Sequence, residues 1–489
     1  MALAPLLLTL GRGTLRNAFL LGLTTGAVYL AGTLYWITGV MHVYGDLPLW
    51  VAVIINVLLI AYQGAFLAVF AVIVRRLVLA VGRPALLAVP VAWVTIEMGR
   101  TYVLTGFPWV LLGYSQVSVL PVAQLASVLG VYGVSALVAS PSACLAYAVG
   151  WPGAPSVRPF RRWAPLGVAM VLPALVAAWG GARVADGSLT RTGEAIRVGL
   201  IQGNVEQSDK WNASRASAIF DGYLEQTRAA LEQGAGLVVW PESATPFFFE
   251  EDRPSAERVR ALARAAGVPM VIGSDEVERG RPHRYFNSAL LVGPDGVTAA
   301  AYRKMHLVPF GEFVPFKRLL FFAAPLVENV SDFSAGTDTV LLPVGTHRVS
   351  TAICYEVVYP NQVRSTVRDG SELLTTITND AWFGRSSAPY QHFAQAAMRA
   401  IENGRYLVRA ANTGISGIVD PYGRVIAASR IFEPAIIVGE ARFLSARTPY
   451  TIVGDSFAYA CIVATFAMLA ACRMVPRLDA RVAPRSKSV

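Results

Sequence analysis

Charged residues are scarce in this chain. Of its 489 residues only 15% are Asp, Glu, Lys or Arg, whereas 54% are hydrophobic. A soluble globular domain usually carries about 25% charged residues. The shortage is uneven, because residues 17–182 and 452–472 are mostly apolar and residues 195–445 have the composition of a soluble domain. The distribution excludes a single soluble domain and indicates a membrane protein that carries one.

Cysteine is also scarce, with four in the whole chain. Cys144, Cys461 and Cys472 lie in apolar segments, where a small buried thiol is common. Cys354 is alone in the polar segment and has no cysteine partner there. The chain has no CxxC spacing, so the pattern favours neither a disulfide framework nor a zinc site. We expect no metal and no cofactor.

The formal net charge is +10, which at first suggests a nucleic-acid partner. The arginines, however, cluster beside the apolar segments, as they do at the ends of membrane-spanning helices. We therefore expect these arginines to lie beside a bilayer, and we expect no nucleic-acid partner.

A helix that crosses a bilayer needs about 20 mostly apolar residues. Six segments qualify: residues 15–40, 49–74, 84–103, 119–149, 163–182 and 452–472. The apolar start, Met1–Leu10, is too short to cross and lacks the basic beginning and small-residue cleavage site of a signal peptide.

Positive charge predicts the orientation of these spans, since Lys and Arg concentrate in cytoplasmic loops. Loops 41–48 and 104–118 contain neither residue. Because successive loops lie on alternate sides of the membrane, every basic segment is then cytoplasmic. Five spans precede the polar segment, which puts it on the outer face. We predict three domains: a membrane domain (1–194), an outer catalytic domain (195–445), and a final helix with a basic tail (446–489). The basic residues are Arg12, Arg16, Arg75, Arg76, Arg83, Arg158, Arg161, Arg162, Arg473, Arg477, Arg481, Arg485 and Lys487.

Glu97 and Arg100 lie one helical turn apart inside the third predicted span. Ionisable groups at such depth are costly and usually face protein or water. Two interpretations stay open here, a structural ion pair and a polar wall of a substrate cavity.

The polar segment alternates strand and helix patterns, which predicts an α/β domain with a largely buried sheet. Strands are expected at 196–201, 237–240, 269–273, 347–353, 373–378, 406–410 and 415–419, and helices at 214–231, 255–266, 360–368 and 391–403.

Reactive groups in such domains gather where strands end. The strand at 237–240 leads to Glu242, the strand at 347–353 leads to Cys354, and a loop-like segment at 302–312 carries Lys304 and Glu312.

A cysteine acts as a nucleophile when a base takes its proton or a cation stabilises the thiolate. None of the four histidines of the domain (His283, His306, His347 and His392) follows a predicted strand. Glu242 does, and a carboxylate shielded from water gains proton affinity. Lys304 and the backbone N–H after Cys354 suit a developing oxyanion. From the residues alone, a buried structural thiol, a surface lysine and a capping carboxylate remain alternatives.

Several motifs together resemble the membrane-fused branch of the nitrilase superfamily, the bacterial apolipoprotein N-acyltransferases. They are Trp240–Ser243, Lys304–Pro315, Ile353–Glu356 and Asn379–Gly384 in the polar domain, with Leu104–Trp109 and Gly113–Gln116 between two spans. The resemblance covers nearly the whole chain. That family usually has eight membrane helices, and the start Met1–Leu8 resembles the end of its additional apolar part.

The resemblance implies an α-β-β-α sandwich that follows a polytopic helical membrane domain. It implies Glu242 as general base, Lys304 as stabiliser of the tetrahedral intermediate and Cys354 as nucleophile. Glu312 resembles the glutamate that supports the base and the lysine. Tyr355 and Glu356 occupy the positions after the nucleophile that shape the site.

The implied reaction is ping-pong acyl transfer. Cys354 takes an acyl chain from a membrane phospholipid as a thioester, and the N-terminal amine of an S-diacylglyceryl-cysteine apolipoprotein then accepts the chain. The resemblance also implies a bacterial cytoplasmic (inner) membrane with the catalytic domain on its outer, periplasmic side. We expect the protein to be a monomer.

Two other functions fit parts of the pattern. A membrane-anchored amidase needs the same three catalytic residues and differs in its substrate. A non-catalytic membrane scaffold needs none of them, so the presence of all three counts against it.

Two aromatic stretches stand out in the polar domain, Phe247–Phe249 and Pro315–Phe322. They have two interpretations, core packing and a lipid entrance that dips into the bilayer.

The predicted orientation can be tested with introduced cysteines in intact spheroplasts. A membrane-impermeant maleimide is expected to label S115C, which lies in an outer loop, and to leave S156C unlabelled until the membrane is permeabilised. The reverse pattern contradicts the charge argument. The unmodified chain measures the background from its own four cysteines.

Overall fold

A computed structural model describes residues 2–152, 158–210, 212–313 and 333–474. The stretch Pro315–Phe322 and the basic residues from Arg477 onward lie outside the described residues. The chain divides into two compact units. The first comprises Met1–Tyr35, Ile54–Ala182 and Asp455–Val489, and the second comprises Trp36–Val53 and Arg183–Gly454.

The first part of the chain is helical. Its helices are α1 (Ala4–Thr9), α2 (Leu15–Leu34), α3 (Trp36–Val43), α4 (Leu49–Val81), α5 (Val89–Tyr102), α6 (Leu120–Ala123), α7 (Ala126–Val149) and α8 (Pro159–Asp186). All except α3 contribute to the first compact unit, which the C-terminal helix Ser456–Met474 completes.

Among the described residues, five helices are long and apolar enough to cross a membrane. They coincide with five of the six predicted spans: α2, α4, α7, α8 and the C-terminal helix. The third predicted span is instead a 3-10 segment, Arg83–Ala88, followed by α5, and each piece begins with a proline in its first turn. Together they rise about 33 Å, against about 30 Å for the hydrocarbon core of a bilayer.

Glu97 and Arg100 are both buried in α5. Glu97 accepts hydrogen bonds from the Trp93 indole (2.9 Å) and from the Leu112 N–H (2.7 Å). Arg100 donates to the Gln63 amide oxygen and to the Trp109 carbonyl, both at 2.9 Å. Each side chain thus fastens the segment that follows α5 to the helices. The described residues contain no direct Glu97–Arg100 salt bridge, and each side chain is held by other partners.

Glycines on α2 allow this helix to pack closely against α4. A Cβ on Gly22 would lie 2.5 Å from the Leu67 carbonyl oxygen, and one on Gly26 would lie 2.8 Å from the Gly64 Cα. Small residues at such spacing let membrane helices pack backbone to backbone. Gly32, on the same helix, has nothing within 4 Å of its Cβ position.

The close packing of α2 on α4 predicts that replacing glycine with leucine has different effects at two positions of α2. Gly22→Leu should push α4 away and destabilise the fold by about 1–3 kcal/mol, the usual cost of overpacking. Gly32→Leu should leave stability nearly unchanged. Thermal unfolding of the detergent-purified variants measures the difference. Equal melting temperatures for the two variants would refute the packing argument.

Within its described residues, the second unit contains twelve strands. They are β1 (Ala195–Gln202), β2 (Leu237–Val239), β3 (Met270–Glu278), β4 (Arg284–Val292), β5 (Thr298–Arg303), β6 (Leu342–Val344), β7 (His347–Ile353), β8 (Leu373–Thr378), β9 (Leu407–Ala411), β10 (Gly417–Val419), β11 (Val425–Ala428) and β12 (Ala435–Arg442). Its further helices are α9 (Ala213–Glu232), α10 (Arg253–Ala266), α11 (Pro360–Arg368), α12 (Ala388–Asn403) and α13 (Pro449–Val453), and we number the C-terminal helix α14.

The strands form two six-stranded sheets. The first has the order β12-β1-β2-β3-β4-β5 and the second β11-β10-β9-β8-β7-β6. In each sheet three consecutive strands run parallel, namely β1, β2 and β3 in the first sheet and β7, β8 and β9 in the second. The strands that flank these three are antiparallel to them. Parallel strands of one sheet end on the same edge. The packing of the two sheets against each other then brings the end of β2 and the end of β7 to one region.

One hydrophobic core fills the space between the sheets. It joins residues of the first sheet, such as Leu200 and Val239, to residues of the second, such as Ile353 and Val408. A second core packs α9 and α10 on the outer face of the first sheet, while α11 and α12 pack on the second sheet. The predicted α-β-β-α sandwich is confirmed.

Every strand and helix predicted in the polar segment is present. The helix at 360–368 and the strands at 347–353 and 373–378 have the predicted ends. The prediction missed β4, β5, β6, β11 and β12. Of the aromatic stretch Phe247–Phe249, Phe249 is fully buried and Phe247 packs against the same core, which favours core packing over a lipid entrance.

The segment between the first two spans belongs to the second unit. Trp36 packs edge-on against Phe383 (5.0 Å between ring centroids), and Tyr44 packs in the same way against Trp382 (5.4 Å). The Trp36 indole also donates to the Gln391 amide oxygen at 3.2 Å. This part of the chain therefore braces the turn that follows β8.

Candidate active site

Cys354 follows the last residue of β7 and begins a 3-10 turn. Its φ is +51°, in the left-handed region that non-glycine residues seldom adopt. Such strain persists only where the surroundings impose it, and it concentrates at functional sites. The thiol is buried.

Glu242 lies just beyond β2, where the buried Trp240 anchors the strand end. The Trp240 indole donates to Thr227 on α9 at 2.8 Å. The Glu242 carboxylate accepts from the Asn287 amide (2.6 Å), from Lys304 Nζ (3.2 Å) and from the Asn379 N–H (2.8 Å). Each oxygen of this buried carboxylate therefore has a donor, as burial of a charge requires.

Lys304 is the first residue after β5, so the loop-like interpretation of 302–312 was wrong for Tyr302 and Arg303. Its side chain is 1% exposed and its Nζ donates to Glu312 Oε1 at 2.7 Å as well as to Glu242. The second Glu312 oxygen accepts from the Val308 N–H at 2.8 Å. Asn287 donates to both carboxylates, at 2.6 Å to Glu242 and 3.3 Å to Glu312.

The charged groups of the site shift one another's pKa values. Burial works against the ammonium of Lys304, but Glu242 and Glu312 outweigh it and raise the pKa of Lys304. Burial likewise works against the carboxylate of Glu242, but Lys304 and then Lys210 hold its pKa below the usual value. The prediction that shielding raises the proton affinity of Glu242 is therefore wrong, because the sequence did not show two buried lysines beside it.

The pKa of the Cys354 thiol shifts in the opposite direction to that of Glu242. Burial, and then the negative charge of Glu242, raise the pKa of Cys354, and Lys304 offsets this only in part. The resting site thus holds a neutral thiol beside an ionised carboxylate. A proton can leave the sulfur for Glu242 when the sulfur attacks an electrophile, and Lys304 is placed to stabilise the charge that develops.

The two residues after the nucleophile are buried. Glu356 ties the nucleophile turn to the lysine segment, since it accepts from the N–H groups of Ile353 (2.8 Å), Met305 (2.8 Å) and His306 (3.1 Å). Tyr355 accepts a hydrogen bond from the Tyr359 hydroxyl at 3.1 Å.

The structure adds polar groups that the sequence reasoning missed. Asn287 interrupts the apolar run of β4, and this break in the pattern was a signal that could have been used. Lys210 is buried and donates to the Glu242 main-chain carbonyl at 3.2 Å. Asp275 accepts from the Ser243 hydroxyl at 2.7 Å, and burial raises its pKa to about 6.

The two parts of the chain match two family models. Residues 197–446 match the carbon-nitrogen hydrolase family, and residues 1–144 match the apolipoprotein N-acyltransferase N-terminal domain. The sandwich with its buried cysteine, glutamate and lysine is thus a carbon-nitrogen hydrolase domain of the nitrilase superfamily.

Curated relatives align along nearly the whole chain. The apolipoprotein N-acyltransferase of Geobacter metallireducens is 41% identical over 94% of this chain and 88% of its own length. Those of Methylococcus capsulatus and Photobacterium profundum are 35% and 34% identical, over 86% and 93% of this chain and 81% and 86% of theirs. The chain belongs to the apolipoprotein N-acyltransferase family.

The charge arrangement predicts an unusual response of Cys354 to the loss of Glu242. Glu242→Gln removes the anion that raises the thiol pKa and leaves Lys304 in place. The pH at which iodoacetamide alkylates Cys354 should therefore fall. Peptide mass spectrometry after alkylation across a pH series measures this shift.

The matched control is Glu225→Gln, which changes an exposed glutamate on α9 and should leave the alkylation profile where it is in the unmodified protein. A profile that moves to higher pH in Glu242→Gln would show that Glu242 does not act on the thiol through its charge.

Proposed function

We propose that this protein transfers an acyl chain from a membrane phospholipid, through a thioester on Cys354, to the N-terminal amine of S-diacylglyceryl-cysteine apolipoproteins. This is the last step of lipoprotein maturation. The observation that carries the proposal is the strained, buried Cys354 beside the Glu242–Lys304 ion pair, in a chain that aligns along its length with acyltransferases.

In the first half-reaction, the Cys354 sulfur attacks the ester carbonyl as its proton passes to Glu242. The sulfur–carbon bond forms, and the oxyanion is stabilised by Lys304 and by the backbone N–H after Cys354. The ester carbon–oxygen bond then breaks. The leaving lysophospholipid oxygen takes the proton from Glu242, and the acyl chain remains on Cys354 as a thioester.

In the second half-reaction, the amine nitrogen of the apolipoprotein attacks the thioester carbonyl. Glu242 takes a proton from the nitrogen as the carbon–nitrogen bond forms. The carbon–sulfur bond breaks, and the proton on Glu242 returns to the Cys354 sulfur. The free thiol is restored and the products are an amide and unchanged enzyme.

Burial of the reacting groups supports transfer over hydrolysis. Cys354 is 9% exposed, Glu242 6% and Lys304 1%. Water that reached the thioester would release a fatty acid and turn the enzyme into a phospholipase, so a dry site favours the amine acceptor. The amidase alternative differs at this point, because a hydrolase requires water at the acyl-enzyme.

We propose further that the protein is a monomer in a bacterial inner membrane, with its catalytic domain on the periplasmic side. The orientation is supported by the charge pattern of the loops. Loops 41–48 and 104–118 contain no Lys or Arg, whereas the segments between the other spans are basic.

The decisive experiment is to incubate the detergent-purified protein with an equimolar mixture of phosphatidylethanolamine and phosphatidylglycerol and to weigh it intact. A mass gain of one acyl chain is expected, and it should be absent from Cys354→Ala. A synthetic diacylglyceryl-cysteine lipopeptide should then discharge the adduct and gain the acyl chain.

Other outcomes select other functions. Discharge by water at the same rate with and without lipopeptide would favour a hydrolase. A folded protein whose Cys354 gains no mass from phospholipid and resists alkylation at every pH would favour a scaffold.

A further inference from the structure

A cluster of buried charged side chains lies behind the nucleophile and has no part in the reaction steps above. Asp380, His392 and Arg409 are all fully buried, and they come from the turn after β8, from α12 and from β9. The Asp380 carboxylate pairs with Arg409 at 2.9 Å and lies 3.0 Å from Nδ1 of His392. Three separate elements thus converge on one imidazole.

His392 reaches the nucleophile through the main chain. Its Nε2 lies 3.1 Å from the carbonyl oxygen of Cys354. A carbonyl oxygen only accepts hydrogen bonds, so Nε2 must carry the proton that it donates. The other ring nitrogen, Nδ1, faces Asp380 and Arg409, both at 3.0 Å. With both nitrogens occupied in this way, His392 is not the base for the Cys354 sulfur.

The cluster is itself closely held. The Thr378 hydroxyl donates to Asp380 Oδ1 at 2.8 Å. A Cβ on Gly414 would lie 2.2 Å from the Asp380 carboxylate, so only glycine leaves room for that carboxylate. The Phe383 ring packs edge-on against His392, with 5.9 Å between centroids. These contacts hold the imidazole next to the Cys354 carbonyl.

Electrostatics supports the same arrangement. Burial works against the charge of Asp380, but Arg409 and then His392 outweigh it and hold the pKa of Asp380 below its usual value. Burial, and then Arg409, lower the pKa of His392. Asp380 therefore stays ionised beside Arg409, and the imidazole lies between this pair and the Cys354 carbonyl.

The Cys354 peptide needs such a restraint because its φ of +51° is unfavourable for a side chain with a Cβ. We propose that the Asp380–His392–Arg409 cluster is a positioning device that holds the Cys354 carbonyl, and so keeps the strained peptide aimed at the reacting carbonyl. His392 acts through Cys354 and is a positioning residue. The inference rests on the proposed acyl transfer at Cys354.

Two substitutions at one position separate this role from general packing. H392Q keeps an amide N–H near the place of Nε2, whereas H392N is shorter and keeps a polar group only on the side of Asp380 and Arg409. A third variant, H347Q, is the control, because His347 contacts Glu194 and Glu372 and lies outside the site.

The measurement is the rate of acyl-enzyme formation by intact mass, at several concentrations of the same phospholipid mixture, beside the melting temperature of each variant. H392N should lower the maximal rate by between about 10-fold and 100-fold, the usual effect of a misplaced reacting group, with the half-saturating lipid concentration unchanged. H392Q should stay within about threefold of the unmodified protein, since it restores the hydrogen bond. H347Q should not change the rate.

Three results would overturn the inference: an H392N protein that acylates at the unmodified rate, a loss confined to the half-saturating concentration, or a folded H392Q that has lost as much rate as H392N. If H392N does not fold, the rate of folded H392Q alone decides. Failure of the unmodified protein to acylate is distinguishable from these, since it removes the proposed function and this inference with it.

Discussion

The buried ammonium of Lys304 is the group on which the catalytic domain depends. A charge in a protein interior is tolerated only when it is paired and fully hydrogen-bonded. Lys304 meets both conditions through Glu242 and Glu312, which are themselves supplied with donors by Asn287, Asn379 and Val308. These donors come from β4, from the turn after β8 and from the turn after β5. The ends of both sheets are thereby tied to a single site.

The same pairing decides how the nucleophile is activated. Lys304 and Lys210 keep Glu242 ionised, and burial together with the negative charge of Glu242 raises the pKa of Cys354 and keeps its thiol protonated. No permanent thiolate is needed, because the proton can move to Glu242 as the sulfur attacks. A neutral thiol is a weak nucleophile, so the resting site stays unreactive until an acyl carbonyl is bound.

Much of this site could be predicted from the sequence, because two of its members follow strands that are continuous in the chain. Glu242 after β2 and Cys354 after β7 lie where the strand patterns stop. Lys304 was predicted as a functional residue within a segment that appeared loop-like, since β5 is short and rich in alanine. Asn287, Lys210 and His392 were not found, because their roles depend on which strands and helices become neighbours. Local patterns carry no information about that pairing.

The sequence by itself determined the apolar spans, the basic segments beside them, the α/β alternation and the position of Cys354 after a strand, since each depends on residues near one another in the chain. Only the tertiary structure decided the direction of the pKa of Glu242, which reverses once Lys304 and Lys210 stand beside it. It also decided that Trp36–Val53 belongs to the catalytic unit. Electrostatic energy depends on distance in space, and residues 210, 242, 304 and 354 meet only when the two sheets pack together.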